Sequence, residues 1–530
     1  MSHTVLFVSS IALLGALAGC SKGCSSDRSL LKQQTVLKVQ LNAEPISLDP
    51  AEVEDGNGLK LIAELREGLV GYDSQGHLKN LLAQSYTVSP DGRRLEFTLK
   101  PDLKWSDGQT VMVEDFVFGI RRALEPSKGG KVSMELLPIR GAKDYRTGKI
   151  KPVRDPKDRT IGVYANEGKL IFELEQAAPY FIHALTLPAA LPVRQDILME
   201  ANGKWTEDKA PGTGPYRFAA YQPGKRFLIE ANPYYWGAQP EVRLIDFLFI
   251  TDEAAALNLF ETGQLDILTR LPPADIPRLR KLPTFKSDPF YATYFIAFNT
   301  RKAPFTDRDF RRAVSGAVQR EEIVKTMDTG EKPALSWLPP GIEGFLEYQN
   351  PKSIFGNSIA KVKGELSHHP VAPVPAAFDT SARNSMIMEK IQHDLIETLG
   401  LKTSLSNMEW KAYVKSLQTD APAIYRFGWL TPFADPINSL QAFTTGNPNN
   451  YAGWSNSEYD RLVQEIAGMV PGSARTEKIR KAQKILVEDD AAVVPIFHYV
   501  QNHLVSQRVN GFKVNPFGIV SFNEMSLNIK

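Results

Sequence analysis

Cysteine is nearly missing from this sequence. Its 530 residues include only Cys20 and Cys24, both close to the N-terminus. The remainder therefore has no disulfide framework and no cysteine-based zinc or redox site. Neither charge sign dominates, with Lys plus Arg at 62, Asp plus Glu at 60 and a net charge of +2. No long basic run interleaved with aromatics occurs, which argues against nucleic acid as a partner. After residue 18 no apolar run approaches membrane-spanning length. GxSxG, Walker A, HExxH and GxGxxG are all absent. His498 and His503 lie five apart in a β-rich stretch, where an unbroken strand would turn them to opposite faces and away from a shared metal. His368 and His369 read as a solvated loop pair, and no carboxylates are spaced for acid–base work. An enzyme is poorly supported, and no cofactor is expected.

What is present describes a folded, exported protein. Hydrophobic residues make up 43% and charged residues 23%, an ordinary balance for a packed core. The length suits two to four domains. Val5 to Ala18 is a short apolar run fit for the core of an export signal. The "LAGC" that ends at Cys20 resembles a bacterial lipobox, in which the cysteine is acylated, although "MSHT" supplies no Lys or Arg ahead of the run. The reading is a signal peptide over 1–19, a lipid on Cys20, and a polar, serine-rich tether over 20–34.

Beyond the tether, strands and helices mix. Val36, Leu37, Val39 and Leu41 predict a strand, and Leu95, Phe97 and Leu99 alternate as in another. Helical spacing recurs at Val113, Phe116, Val117, Ile120 and Leu124, at Phe310, Ala313, Val314, Ala317 and Val318, and at Tyr459, Leu462, Val463, Ile466 and Ala467. A helix is expected over about 473–489, followed by a β-rich "AAVVPIFHYV". The proline-dotted "HHPVAPVPAAF" (368–378) reads as an exposed loop or a crossing between subdomains. Trp410, Trp429, Trp454, Tyr294, Phe427 and Phe433 collect in the second half, where core packing competes with the lining of a cleft.

Four stretches, "EPISLDP" (44–50), "REGLVGYD…RRALEP" (66–126), "APGTGPYRF…NPYYW" (210–236) and "YATYFIAFNT…REEIV" (291–324), together resemble the oligopeptide/dipeptide solute-binding proteins of ABC importers (bacterial extracellular solute-binding protein family 5). The likeness runs from about residue 35 to the C-terminus. It implies an α/β, two-lobed, hinged periplasmic-binding-protein-like fold (type II, cluster C) with an additional domain. Lobe 1 would comprise 35–66, 187–294 and 488–530, the extra domain 67–186, and lobe 2 295–487. The resemblance further implies a monomer that closes on a peptide or peptide-like ligand and delivers it to permease subunits, touching the membrane only through its N-terminal lipid, in the periplasm or at the cell surface.

The same resemblance places the ligand site around "EWKAYVKSLQTDAPAIYRFGWLTPFADP" (409–436). Trp410 matches a tryptophan lining a side-chain pocket, and Arg426 an arginine able to meet a peptide carboxylate. Gly428 and Trp429 match the family's Gly-Trp pair, Glu54 falls where a ligand-contacting acid occurs, and Asn384 is expected beside the ligand. Two positions depart from the pattern. An aspartate that holds the ligand's ammonium in many members is Pro432 here, and an arginine found in some oligopeptide binders is Leu417. Either Glu54, Glu409 or Asp435 replaces the missing acid, or the ligand brings no free amino terminus to that point. Asp435 matches a second aspartate that serves loop structure. The alternatives are the same importer role with a nickel chelate, haem or short saccharide as cargo, and a tethered envelope hydrolase.

Overall fold

A computed structural model describes residues 35–128 and 131–528; the expected signal peptide, Cys20 and the tether lie outside the described residues. The backbone is organised by one sheet of eleven strands. In chain order these are β1 (Val36–Leu41), β2 (Tyr216–Gln222), β3 (Arg226–Ala231), β4 (Leu244–Phe249), β5 (Ile267–Leu268), β6 (Phe285–Phe298), β7 (Lys332–Pro333), β8 (Val374–Asp379), β9 (Thr403–Met408), β10 (Ile424–Leu430) and β11 (Val493–Val505). Their spatial order is β9-β8-β10-β6-β11-β5-β1-β4-β3-β2, with β7 paired to β11.

Two long strands join the halves. Phe285–Pro289 of β6 pair with Val500–Leu504 of β11, and Thr293–Ala297 pair with Val493–His498, with the register broken between Pro289 and Thr293. The first ladder belongs to the half containing β1 and β4, the second to the half containing β8, β9 and β10. A break in register bends a strand pair locally, and this one lies where the chain crosses between lobes. The segment Val493–His498 thus pairs within the second lobe, beyond the boundary at 488 expected from the sequence.

The second lobe covers its sheet on both faces. One face buries Tyr294, Ile296, Phe298, Ala376, Phe378 and Ile424 beneath the helices Arg308–Ala317, Pro351–His368 and Ala382–Leu399. The other buries Phe295, Ala297, Ala377, Tyr413, Tyr425 and Trp337 beneath the helices Trp410–Asp420 and Ser457–Ala467. Each large apolar side chain withdrawn fully from water contributes about 1.5–3 kcal/mol. Caps fix where these helices begin. Asp307 accepts the Phe310 N–H at 3.0 Å, and Asn456 accepts those of Glu458 and Tyr459 at 3.0 Å each. The stripes expected on both helices face the core, and the helix expected over 473–489 is Ser473–Lys484 continued by a π-helical turn, Ile485–Asp489.

The extra domain has its own antiparallel sheet, ordered Ala83–Val88, Arg94–Leu99, Lys169–Glu173, Val163–Asn166. It packs on the helix Val113–Ala123 around Phe97, Trp105, Phe116, Ile120 and Phe172. Asp49, from the "EPISLDP" stretch, takes the guanidinium of Arg122 with a 2.6 Å contact while both are buried. That bidentate pair fastens the extra domain to the first lobe.

The proline-dotted run is not a loop throughout. His368 ends a helix, and Val374–Asp379 forms β8, between β9 and β10. The Val374 N–H turns to β9, bonding the Lys402 carbonyl at 2.9 Å. Position 375 therefore faces β10, whose pairing with β8 starts only at Ala376. The N–H that Pro375 lacks falls just before that ladder begins.

Candidate ligand cleft

The strand β10 carries most of the expected site, and its alternation divides that site between two faces. Arg426 and Gly428 point to one side, Phe427 and Trp429 to the other. On the first side the Arg426 guanidinium lies 4.6 Å above the Tyr294 ring, donates to the Tyr499 hydroxyl at 3.2 Å and pairs with Asp379 at 2.5 Å. Burial opposes its charge, but Tyr499, Tyr294 and Asp379 together outweigh that and raise its pKa. Its Nε is buried without a partner among the described residues. Asn384 braces this group by donating to the Asp379 backbone carbonyl at 3.2 Å and accepting from the Tyr294 hydroxyl at 3.3 Å. Asn384 is itself buried near the start of its helix, so it touches the arginine's supports. A Cβ on Gly428 would lie 3.4 Å from the Tyr499 hydroxyl and 3.9 Å from Arg426, so glycine leaves the space over this pair open.

On the second side Trp410 stacks on Phe427 with ring centroids 5.8 Å apart and stays 48% exposed. Trp429 donates to the Ser439 hydroxyl at 3.1 Å beside Trp337. Trp410 and Arg426, close in the sequence motif, therefore do not share one pocket wall. Glu54 is exposed on the first lobe ahead of the helix Gly56–Leu65. Trp454, Tyr294 and Phe433 are core residues.

Asp379 is the residue sequence reasoning missed, and it, not Asp435, is the arginine's partner. Asp435 is buried in a bidentate pair with Arg475 at 2.8 Å on each oxygen and accepts the Ile437 N–H. Glu409 caps its own helix by accepting the Lys411 and Ala412 N–H groups. Two of the three acids considered as substitutes for Pro432 thus have structural work.

The backbone of β10 supplies a further feature. Its ladder with β6 includes a bond from the Thr431 N–H to the Tyr291 carbonyl and one from the Asn299 N–H to the Ala423 carbonyl. Antiparallel alternation then directs the N–H and C=O of Arg426, Gly428 and Leu430 away from β6. On that far side β8 pairs only with Ile424 and Tyr425. The Arg426 carbonyl accepts from the Tyr413 hydroxyl at 2.6 Å; among the described residues no strand pairs the edge at Gly428 and Leu430, and Leu430 is 48% exposed.

Beyond Leu430 the chain is fastened to the extra domain. The Ala434 N–H donates to the Tyr72 hydroxyl at 2.9 Å, Tyr72 meets His183 at 2.9 Å, and Asn438 donates to Glu135 at 2.7 Å. Behind Leu430, Thr431 and Pro432 lies a cavity of about 360 Å3 bounded by both lobes and the extra domain. Among the described residues no group of three His, Cys, Asp or Glu side chains could hold a metal, and no helix is long and apolar enough to cross a membrane.

Two lobes joined by two long strands, with an unpaired strand edge that ends at the cavity between them, define a hinged solute-binding protein. The chain belongs to the bacterial extracellular solute-binding proteins, family 5, whose sequence model matches residues 77–451. It is 28% identical to the oligopeptide-binding protein OppA of Bacillus subtilis over 512 residues, covering 93% of this chain and 92% of that one. Among solved structures, the unliganded open form of the periplasmic murein tripeptide-binding protein MppA superposes with a TM-score of 0.79 at 26% identity, covering 93% of this chain and 98% of that one. The Haemophilus influenzae OppA complex with RPPGFSPFR gives 0.77 at 25% identity, covering 93% and 99%.

Proposed function

We propose that this protein captures peptides or peptide-like solutes outside the cytoplasmic membrane and passes them to the permease of an ABC importer, held nearby by a lipid on Cys20. It acts as a monomeric carrier and not as an enzyme. The observation that carries this reading is the unpaired edge at Gly428 and Leu430. An extended peptide laid there adds one strand to the sheet, gaining backbone hydrogen bonds that do not depend on its side chains. Trp410 and Leu430 offer apolar surface to those side chains, and Arg426 stands at one end of the edge for a terminal carboxylate. Closure about β6 and β11 then covers the bound solute, a hinge motion.

A non-peptide cargo is the second reading, favoured by Pro432, which puts no anion where a ligand ammonium would need one. Native mass spectrometry of the purified protein tests both. The expected result is release of masses that fragment as peptides or peptide conjugates, together with uptake of a mixed tripeptide pool. Release of a metal chelate, porphyrin or saccharide, with no uptake of the pool, would overturn the peptide reading; cleavage of the pool would favour a hydrolase.

A further inference from the structure

The cavity behind Leu430 adjoins the end of the open edge, because Leu430, Thr431 and Pro432 form part of its wall. Its volume of about 360 Å3 lies within the range of small-ligand sites, about 300–1,000 Å3. Leu59, Ile62, Leu81, Leu187 and Leu191 supply much of the lining, with Tyr72 and Trp236. The cavity wall carries the carboxyl groups of Glu64, Glu67 and Glu524, each engaged by protein donors or buried, and one lysine, Lys79. Glu67 accepts from the Tyr235 hydroxyl at 2.8 Å and from the Trp236 indole at 2.6 Å. Glu524 pairs with Lys513 at 2.9 Å. Glu64 is 4% exposed, its Oε2 has no protein partner, and burial, then the neighbouring Glu67, hold its pKa well above the usual carboxyl range. A carboxyl this deeply buried offers a ligand ammonium no accessible counter-charge. Arg66, also on the wall, is engaged by Glu207 at 2.8 Å and lies 4.8 Å from the Trp205 ring.

We infer that this cavity receives an uncharged acyl group on the amino end of the ligand, so that the preferred cargo is an N-acylated peptide or peptide-like solute. The inference rests on the proposed function, with the ligand along β10 and its carboxylate toward Arg426. The amino end then passes Leu430 and meets Pro432, where the apolar wall accepts an acyl chain.

The test is competition by native mass spectrometry. The purified protein is offered one tripeptide pool in three forms: free, N-acetylated and N-octanoylated. The octanoylated form should bind at least tenfold more tightly than the acetylated form, and the free form most weakly. Ala63→Trp puts a large side chain into the cavity from the helix Gly56–Leu65 and should remove the octanoyl preference. Pro432→Asp supplies an anion at the cavity wall and should shift the preference at least tenfold toward the free form. Circular dichroism confirms that each variant is folded, and an unfolded Ala63→Trp leaves the wild-type ranking and Pro432→Asp as the test. If the three forms bind the wild type within threefold of one another, or the free form binds best, the cavity assignment is wrong while the peptide reading stands. If none binds, both are wrong.

Discussion

Asp379→Asn is the most informative single change in the cleft. Asp379 and Arg426 are only 18% and 12% exposed, so water screens their attraction poorly. At an effective dielectric constant of about 20, unit charges about 4 Å apart attract by roughly 4 kcal/mol. Desolvation of both groups offsets part of this, leaving a net loss of about 1–3 kcal/mol in unfolding free energy when the carboxylate is neutralised. The guanidinium keeps Tyr499 and the Tyr294 ring but has no anion. If Arg426 receives a ligand carboxylate, Asp379 competes with that carboxylate. Removing the competitor should then tighten binding of free-acid peptides about tenfold relative to amidated ones, equivalent to about 1.4 kcal/mol. Calorimetry with free-acid and amidated tripeptide pools, alongside urea unfolding, measures both effects. Arg426→Ala should lose the acid preference and about 2–4 kcal/mol of stability, since Asp379 is left half-desolvated. An unchanged acid-to-amide ratio in both variants would show that the pair is purely structural and refute the carboxylate role.

Three further expectations concern the Asp435–Arg475 pair, two buried histidines and the N-terminal cysteines. Asp435→Asn should cost about 1–3 kcal/mol in unfolding free energy because it leaves the buried Arg475 guanidinium with Glu343 as its one remaining carboxylate partner; a loss below about 0.5 kcal/mol would contradict this. Burial drives His498 and His503 down to about 3, with Lys60 adding to the second, so the native state keeps them neutral while the unfolded chain protonates near 6.5. Their stabilisation is present above that value and is lost as pH falls toward 3, by roughly 1.4 kcal/mol per pH unit for each histidine; equal urea midpoints at pH 7 and pH 4.5 would refute it. Fatty-acid labelling should vanish in Cys20→Ser and persist in Cys24→Ser, and the reverse would remove the lipid assignment.

The elements that sequence made legible are those with local signals. The helix Arg308–Ala317 shows its cap and its stripe within a dozen residues, and Leu95, Phe97 and Leu99 show their alternation directly. Asp379 was not legible, because it directly follows a run whose prolines imitate a loop and meets Arg426 only when β8 and β10 align. The separation of Arg426 from Trp410 was hidden for a related reason: motif spacing counts residues, whereas a strand places neighbours on opposite faces. Pro432 is visible in the sequence as a departure from the family pattern, but the cavity behind it depends on both lobes and the extra domain meeting and has no linear trace.

Amide hydrogen exchange at Gly428 and Leu430, measured with and without bound tripeptide pool, shows whether a ligand strand pairs with β10. If the ligand pairs with the open edge of β10, both amides exchange freely in the unliganded protein and slow by at least tenfold on binding. Binding that leaves both unchanged would place the ligand elsewhere and contradict the account.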